Sequence, residues 1–131
     1  MSLRRFIYLS TSAALGPADV HAIIASSEKN NPARGVTGLL IYNGRNFLQM
    51  IGGEEAALLG LMAVVSRDKR HSGVITMMNR SIVDRSCPEW HMKLIDLERD
   101  VDRRRMMIEN ALPPGIDGDS RTLIVNFALL N

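Results

Sequence analysis

Apolar residues recur along this chain with two periods, and the switches between them mark its elements. Residues 5–10, Arg-Phe-Ile-Tyr-Leu-Ser, are rich in β-formers and run into the turn-prone Ser10-Thr11-Ser12, which predicts a first strand. Gly16-Pro17-Ala18-Asp19 opens a helix, because proline suits a first helical turn and Val20, Ile23, Ile24 and Ser27 are spaced to share one face. That helix stops near Asn30-Asn31, since Pro32 disfavours helical geometry in the residue before it. Residues 36–42 and 46–51 flank Asn43-Gly44, the signature of two strands joined by a two-residue hairpin turn. Gly52-Gly53 ends the hairpin, and Leu58, Leu61, Met62 and Val65 then recur at i, i+3, i+4 and i+7, the stripe of a second amphipathic helix. Residues 73–78 and 90–97 read as fourth and fifth strands, joined by a loop whose Pro88 cannot donate to a ladder.

The predicted order is βαββαββ, and its α+β solution is a ferredoxin-like fold with two helices on one face of a five-stranded sheet. The pattern leaves the position of the fifth strand in that sheet open. After Leu97 the composition changes: residues 98–110 are charged and helical, and Pro113-Pro114-Gly115 breaks them. Asp119-Ser120 is placed to cap a last helix holding Leu123, Ile124, Phe127 and Leu130. The same segment alternates as Leu123, Val125, Phe127 and Leu129, so a strand is the competing reading. The expected division is a domain over residues 1–97 and a C-terminal helical extension over residues 98–131, serving output or oligomerisation.

The chain has 131 residues, enough to close a core without disulfides or metals, and its single Cys87 excludes an internal disulfide. No apolar run approaches the ~18 residues of a membrane span, and Met1-Ser2-Leu3-Arg4-Arg5 leads into a strand instead of a signal-peptide core, so a cytoplasmic protein is expected. Arg and Lys are scattered among Asp and Glu at a net charge of +2, which does not indicate nucleic acid. His21, His71 and His91 show no metal-ligand spacing, so no metal site is expected.

Against this background Gln49 is the informative residue, the one polar member of Phe47-Leu48-Gln49-Met50-Ile51. A buried amide needs hydrogen-bond partners, and because it both donates and accepts it can join two groups and exchange those roles. Three distant segments offer partners. Tyr8 is an ordinary strand aromatic if its hydroxyl reaches the sheet edge, and a proton-coupled partner of Gln49 if the first and third strands are neighbours. Asn30-Asn31 is either helix-terminating turn chemistry or a pair of amides facing the imide-like edge of a planar ligand. Trp90 and Met92 share one face of their strand and His91 takes the other; core packing explains them as well as a site does. Asp68-Lys69-Arg70-His71 is a solvated helix exit or a phosphate corner. Arg103-Arg104-Arg105 reads as the polar face of a tail helix.

Taken together, residues 5–10, Asn30-Asn31-Pro32-Ala33-Arg34-Gly35-Val36-Thr37-Gly38-Leu39-Leu40, Phe47-Leu48-Gln49, Asp68-Lys69-Arg70-His71 and Trp90-His91-Met92 closely resemble the BLUF family of flavin-based blue-light sensors. The likeness spans residues 4–97, with the motifs in order. It implies a photoreceptor and not an enzyme, holding FAD non-covalently with its isoalloxazine ring between the two helices. By the same resemblance Tyr8 is the light-reaction tyrosine and Gln49 the switching glutamine between it and flavin N5 and O4. Asn31 matches the clamp on the O4 and N3 edge, with Asn30 and Ser27 nearby. Ile23 and Val65 match aliphatic positions that sandwich the ring, and Lys29, Arg70 and His71 match the ribityl-phosphate end. Trp90 and Met92 match the signalling strand. The implied switch passes an electron and a proton from Tyr8 through Gln49 and back, leaving the amide rearranged and the absorption red-shifted.

The chain departs from relatives at three places. Gly52 stands where many carry Glu, which predicts a looser corner; Cys87 replaces a frequent aromatic; and Val64 takes a position where some place Arg or His near flavin O2. Output is expected through the C-terminal segment or a separate effector protein, a cyclic-dinucleotide enzyme among the family's options, with the chain as a homodimer or larger ring. The apolar side of residues 120–130 is the expected docking surface. Rival readings are a BLUF-like flavin binder that no longer signals, an acylphosphatase-like enzyme and an RNA-recognition module. An acylphosphatase needs an anion-binding arginine loop where Ser10-Thr11-Ser12-Ala13 stands, and an RNA binder needs more stacking aromatics than Phe47 on the third strand.

Overall fold

Strand side chains alternate between faces, so a strand apolar on both sides must be covered on both. Every central strand of this protein is of that kind, as its computed structural model shows over residues 3–11, 22, 25, 29–30, 35–42, 46–67, 72–82, 93–96, 101–113 and 115–130. The strands are β1 (Leu3–Thr11), β2 (Thr37–Tyr42), β3 (Asn46–Glu54), β4 (Ser72–Ile82) and β5 (Lys93–Asp96). They form one sheet in the order β4-β1-β3-β2-β5, antiparallel except for the parallel β2–β5 pair. The four-strand centre is the ferredoxin-like arrangement, and β5 joins it at the β2 edge, the position the sequence pattern left open.

Phe6, Tyr8, Leu40, Phe47 and Ile51 line the first face and are sealed by α1 (Glu55–Arg67). Leu58 of its stripe is fully buried, with Leu61 and Met62 half-buried beside it. Glu55 in the first turn and Arg67 in the last both oppose the helix dipole. Ile7, Leu39, Ile41, Leu48, Met50 and Ile95 line the second face. There they meet Ile108 of α2 (Val101–Ala111), Leu112 just beyond it, and Ile124, Phe127 and Ala128 of α3 (Gly118–Leu130). The helix predicted before Asn31 falls mostly outside the described residues; helical backbone is described at Ala22, Ala25, Lys29 and Asn30, all exposed.

Several expectations are corrected. The hairpin turn is not two residues long: Tyr42 pairs with Phe47, leaving Asn43 to Asn46 between them. The Tyr42 and Phe47 rings stack at 4.7 Å, a cross-strand contact that favours this register. Gly52 and Gly53 do not end β3 but pair with Arg5 and Arg4. A Cβ at Gly53 would crowd Gly35 O at 3.0 Å, and one at Gly38 would collide with Met50 O at 2.0 Å. β1 and β4 are longer than predicted because each supplies the other's ladder. The final segment is the helix expected of it, but its cap is Asp117, two residues before the predicted one: Asp117 Oδ2 accepts the Ser120 N–H at 2.9 Å. The apolar side of that helix is no free docking surface, because it is spent on the second face of the sheet. Of the tail arginines, Arg104 donates to Ala128 O at 3.3 Å, serving a carbonyl in the last turn of α3. Among the described residues no helix is long and apolar enough to cross a membrane.

Candidate functional site

The antiparallel register of β1 and β3 sets Tyr8 directly opposite Gln49. Directly paired residues share a face, with Cβ atoms about 4.5–5.5 Å apart. Both are deeply buried, Tyr8 at 0 % and Gln49 at 4 % exposure, among Phe6, Val36, Leu40, Phe47, Ile51 and Leu58. Two polar tips therefore stand together in an apolar surround.

Two side-chain oxygens there, Tyr8 Oη and Gln49 Oε1, are buried and have no hydrogen-bond partner. Neither bonds the other, so the expected tyrosine–glutamine bridge is not closed. Native proteins rarely leave such atoms unsatisfied, and adjacent orphans on one face mark a place built for a polar-edged ligand. Burial pushes the Tyr8 hydroxyl far above its ordinary value, so it stays a neutral O–H donor throughout the physiological range. A flat heteroaromatic with donors and acceptors on its rim and apolar faces suits this set, and flavin is such a group.

The structure brings Tyr8 and Gln49 together and places Lys29 and Asn30 exposed on helical backbone. Val65 lies on α1, with its side chain outside the description. Ile23, Ser27, Asn31, Arg70, His71, Trp90 and Met92 lie outside the described residues, as do Cys87 and His91. Gly52, expected to loosen its corner, sits in continuous pairing with Arg5, and a Cβ there would meet nothing nearer than 3.7 Å. Among the described residues no group of three His, Cys, Asp or Glu is placed to hold a metal.

One cluster escaped the sequence reading. Arg5, 3 % exposed, donates to Asp117 Oδ1, and Arg80 donates to Asp117 Oδ2 at 3.3 Å and to Asp119 Oδ2 at 2.6 Å. The visible signal was parity: Arg5 stands in the alternating set with Ile7 and Leu9, a charge on an apolar face.

Comparison with known proteins agrees with this geometry. Residues 3–93 match the family profile BLUF, described as sensors of blue-light using FAD. Photoactivated adenylate cyclase subunit beta of Euglena longa is 34% identical over 95 residues, covering 70% of this chain and 11% of that protein. The chain thus spans about a tenth of the length of the curated relatives it matches first. Among solved structures, the dark state of the BLUF protein BlrB superposes with a TM-score of 0.75 at 26% identity, covering 98% of this chain and 95% of that one. Klebsiella pneumoniae BlrP1 with FMN and cyclic diGMP gives a TM-score of 0.83 at 26% identity, over 96% of this chain and 34% of that one.

Proposed function

This chain belongs to the BLUF family of blue-light sensors using FAD, and on that premise we propose that it holds FAD non-covalently against the Tyr8–Gln49 face and reports illumination to a separate effector. The observation that carries the reading is the Tyr8–Gln49 pair, facing one another in register with Tyr8 Oη lacking any partner in a dry surround. Bound flavin supplies the light absorption and the redox partner. The chain supplies the rest. Tyr8 holds a transferable proton at Oη, kept there by burial until it is drawn off. Gln49 offers a carboxamide that both accepts and donates, so it can pass a proton on and settle with its donor and acceptor ends exchanged. α1 and the apolar residues around the pair exclude water, which strengthens each hydrogen bond and prevents proton leakage.

In this reading Asn31, with Asn30 and Ser27, holds the polar rim of the ring, while Ile23 and Val65 grip its faces. Lys29, Arg70 and His71 attend the phosphates, and Trp90 and Met92 carry the change into β5. Relatives named as adenylate cyclases, and BlrP1 with its cyclic diGMP, make a cyclic-nucleotide enzyme the natural effector class, reached by a dimer or larger ring of this chain. A non-signalling flavin binder loses its best support, because Gly52 is held in an unbroken ladder.

The test is a visible spectrum before, during and after blue illumination. Purified protein should be yellow, shift reversibly to the red in the light and recover in the dark. Gln49→Leu should bind flavin without shifting; a normal light-state spectrum in that variant refutes the glutamine's role.

A further inference from the structure

Arg5 lies three residues before Tyr8 on β1 and points to the other face, among the apolar residues that α2 and α3 cover. A guanidinium buried there needs a charged partner. It finds one across the length of the chain. Asp117 Oδ1 accepts from Arg5, while Ser120 Oγ also accepts from Arg5 at 3.3 Å and donates to Asp117 at 2.8 Å. Arg80 is the direct cross-strand neighbour of Arg5 on β4 and holds the other oxygen of the same carboxylate, as well as Asp119. Asp117 is also the cap of α3. One carboxylate therefore ends a helix and ties it to two adjacent strands.

The two strands so tied change register between Ile7 and Tyr8, and again between Leu9 and Thr11. Ile7 pairs with Met78 and Tyr8 with Thr76, so Met77 is an extra residue in β4 beside the tyrosine. A bulge leaves one residue unpaired, interrupts the ladder locally and bends the strand that carries it. From it, β1 leads to Arg5 and β4 leads to Arg80, and both end on Asp117. Apolar packing holds α3 to the sheet without direction; the clamp gives it a direction.

We propose that this two-arginine clamp on Asp117 is a conformational coupling, through which a change at Tyr8 and its bulge alters the hold of β1 and β4 on the C-terminal helix pair. It rests on the light-sensing reading above and deepens it, making α3 the first output element on the second face of the sheet.

The experiment is amide hydrogen exchange across residues 118–130 in full-length, flavin-loaded protein, dark and illuminated, with the visible spectrum recorded on the same samples. Wild type should show a light–dark difference in α3 exchange of about tenfold. Asp117→Asn should keep the red shift but exchange rapidly in both conditions, bringing the ratio close to one. Arg80→Gln, which leaves Arg5 paired with Asp117 and so preserves the fold, should give an intermediate ratio. A wild-type ratio retained in Asp117→Asn overturns the coupling, as does a normal red shift with unaltered α3 exchange in the wild type. A wild type with no red shift at all overturns the light-sensing reading first, and the coupling with it.

Discussion

Tyr8 places a phenol oxygen without a partner inside an apolar cluster, where a buried unsatisfied group costs about 1–3 kcal/mol. Removing that oxygen should help the flavin-free protein: Tyr8→Phe is expected to raise its stability by about 1 kcal/mol in urea unfolding, while the flavin-loaded variant keeps its colour and loses the red shift. A loss of stability would show that the hydroxyl has a protein partner after all. Asp117 gives a pH signature. Burial pushes its carboxyl up, but the Ser120 N–H and hydroxyl, Arg5 and Arg80 outweigh that and hold it below the usual carboxylate range. A carboxyl depressed on folding stabilises the native state above its unfolded pKa, and the benefit fades as pH falls toward the native one. The stability gap between wild type and Asp117→Asn should thus be constant near neutrality and shrink below about pH 4. A gap that widens on acidification would contradict the assignment. Tyr8 and Gln49 were legible in the sequence as chemistry; the Arg5 cluster was not read there, and its partner could not be, because 112 positions separate Arg5 from Asp117.

Glycines show how far local pattern reaches. Gly38 pairs with Ile51 near the start of β2 and lies under Met50 O, so Gly38→Ala should cost more than about 3 kcal/mol and broaden the unfolding transition. Gly60 sits mid-helix on the exposed side of α1 with nothing within 4 Å, and Gly60→Ala should stabilise by about 0.5–1 kcal/mol. Equal effects at the two positions, measured by chemical denaturation, would mean that the strand contact is wrong. The hairpin was legible from alternation and Asn43-Gly44, yet its register was not. Loops of two and four residues preserve side-chain parity, so both put Leu39 and Ile41 on one face and Leu40 on the other. The last segment satisfied both periods in sequence. Burial of Ser120, Ile124, Phe127 and Ala128 follows the helical one, and a cap at Asp117 starts it.

The protein is a sheet between two unequal covers, and the C-terminal cover shares one core with the strands. Truncation after Leu97 would bare Ile7, Leu39, Ile41, Leu48 and Met50 and strand the Arg5 guanidinium, so residues 1–97 alone should aggregate or unfold. A soluble, yellow, photoactive 1–97 fragment, seen by gel filtration and spectroscopy, would show the tail to be dispensable instead. Period and turn chemistry were enough to place the strands, the second helix and the Tyr8 and Gln49 candidates, because alternation and helical spacing are local properties of the chain. Strand order, the Tyr8–Gln49 register, the burial of α3 and the Arg5–Asp117–Arg80 clamp required the folded chain. Alternation tells that a strand has two apolar faces, but which segment closes each one is settled by contacts between residues far apart in sequence, competing for the same surface.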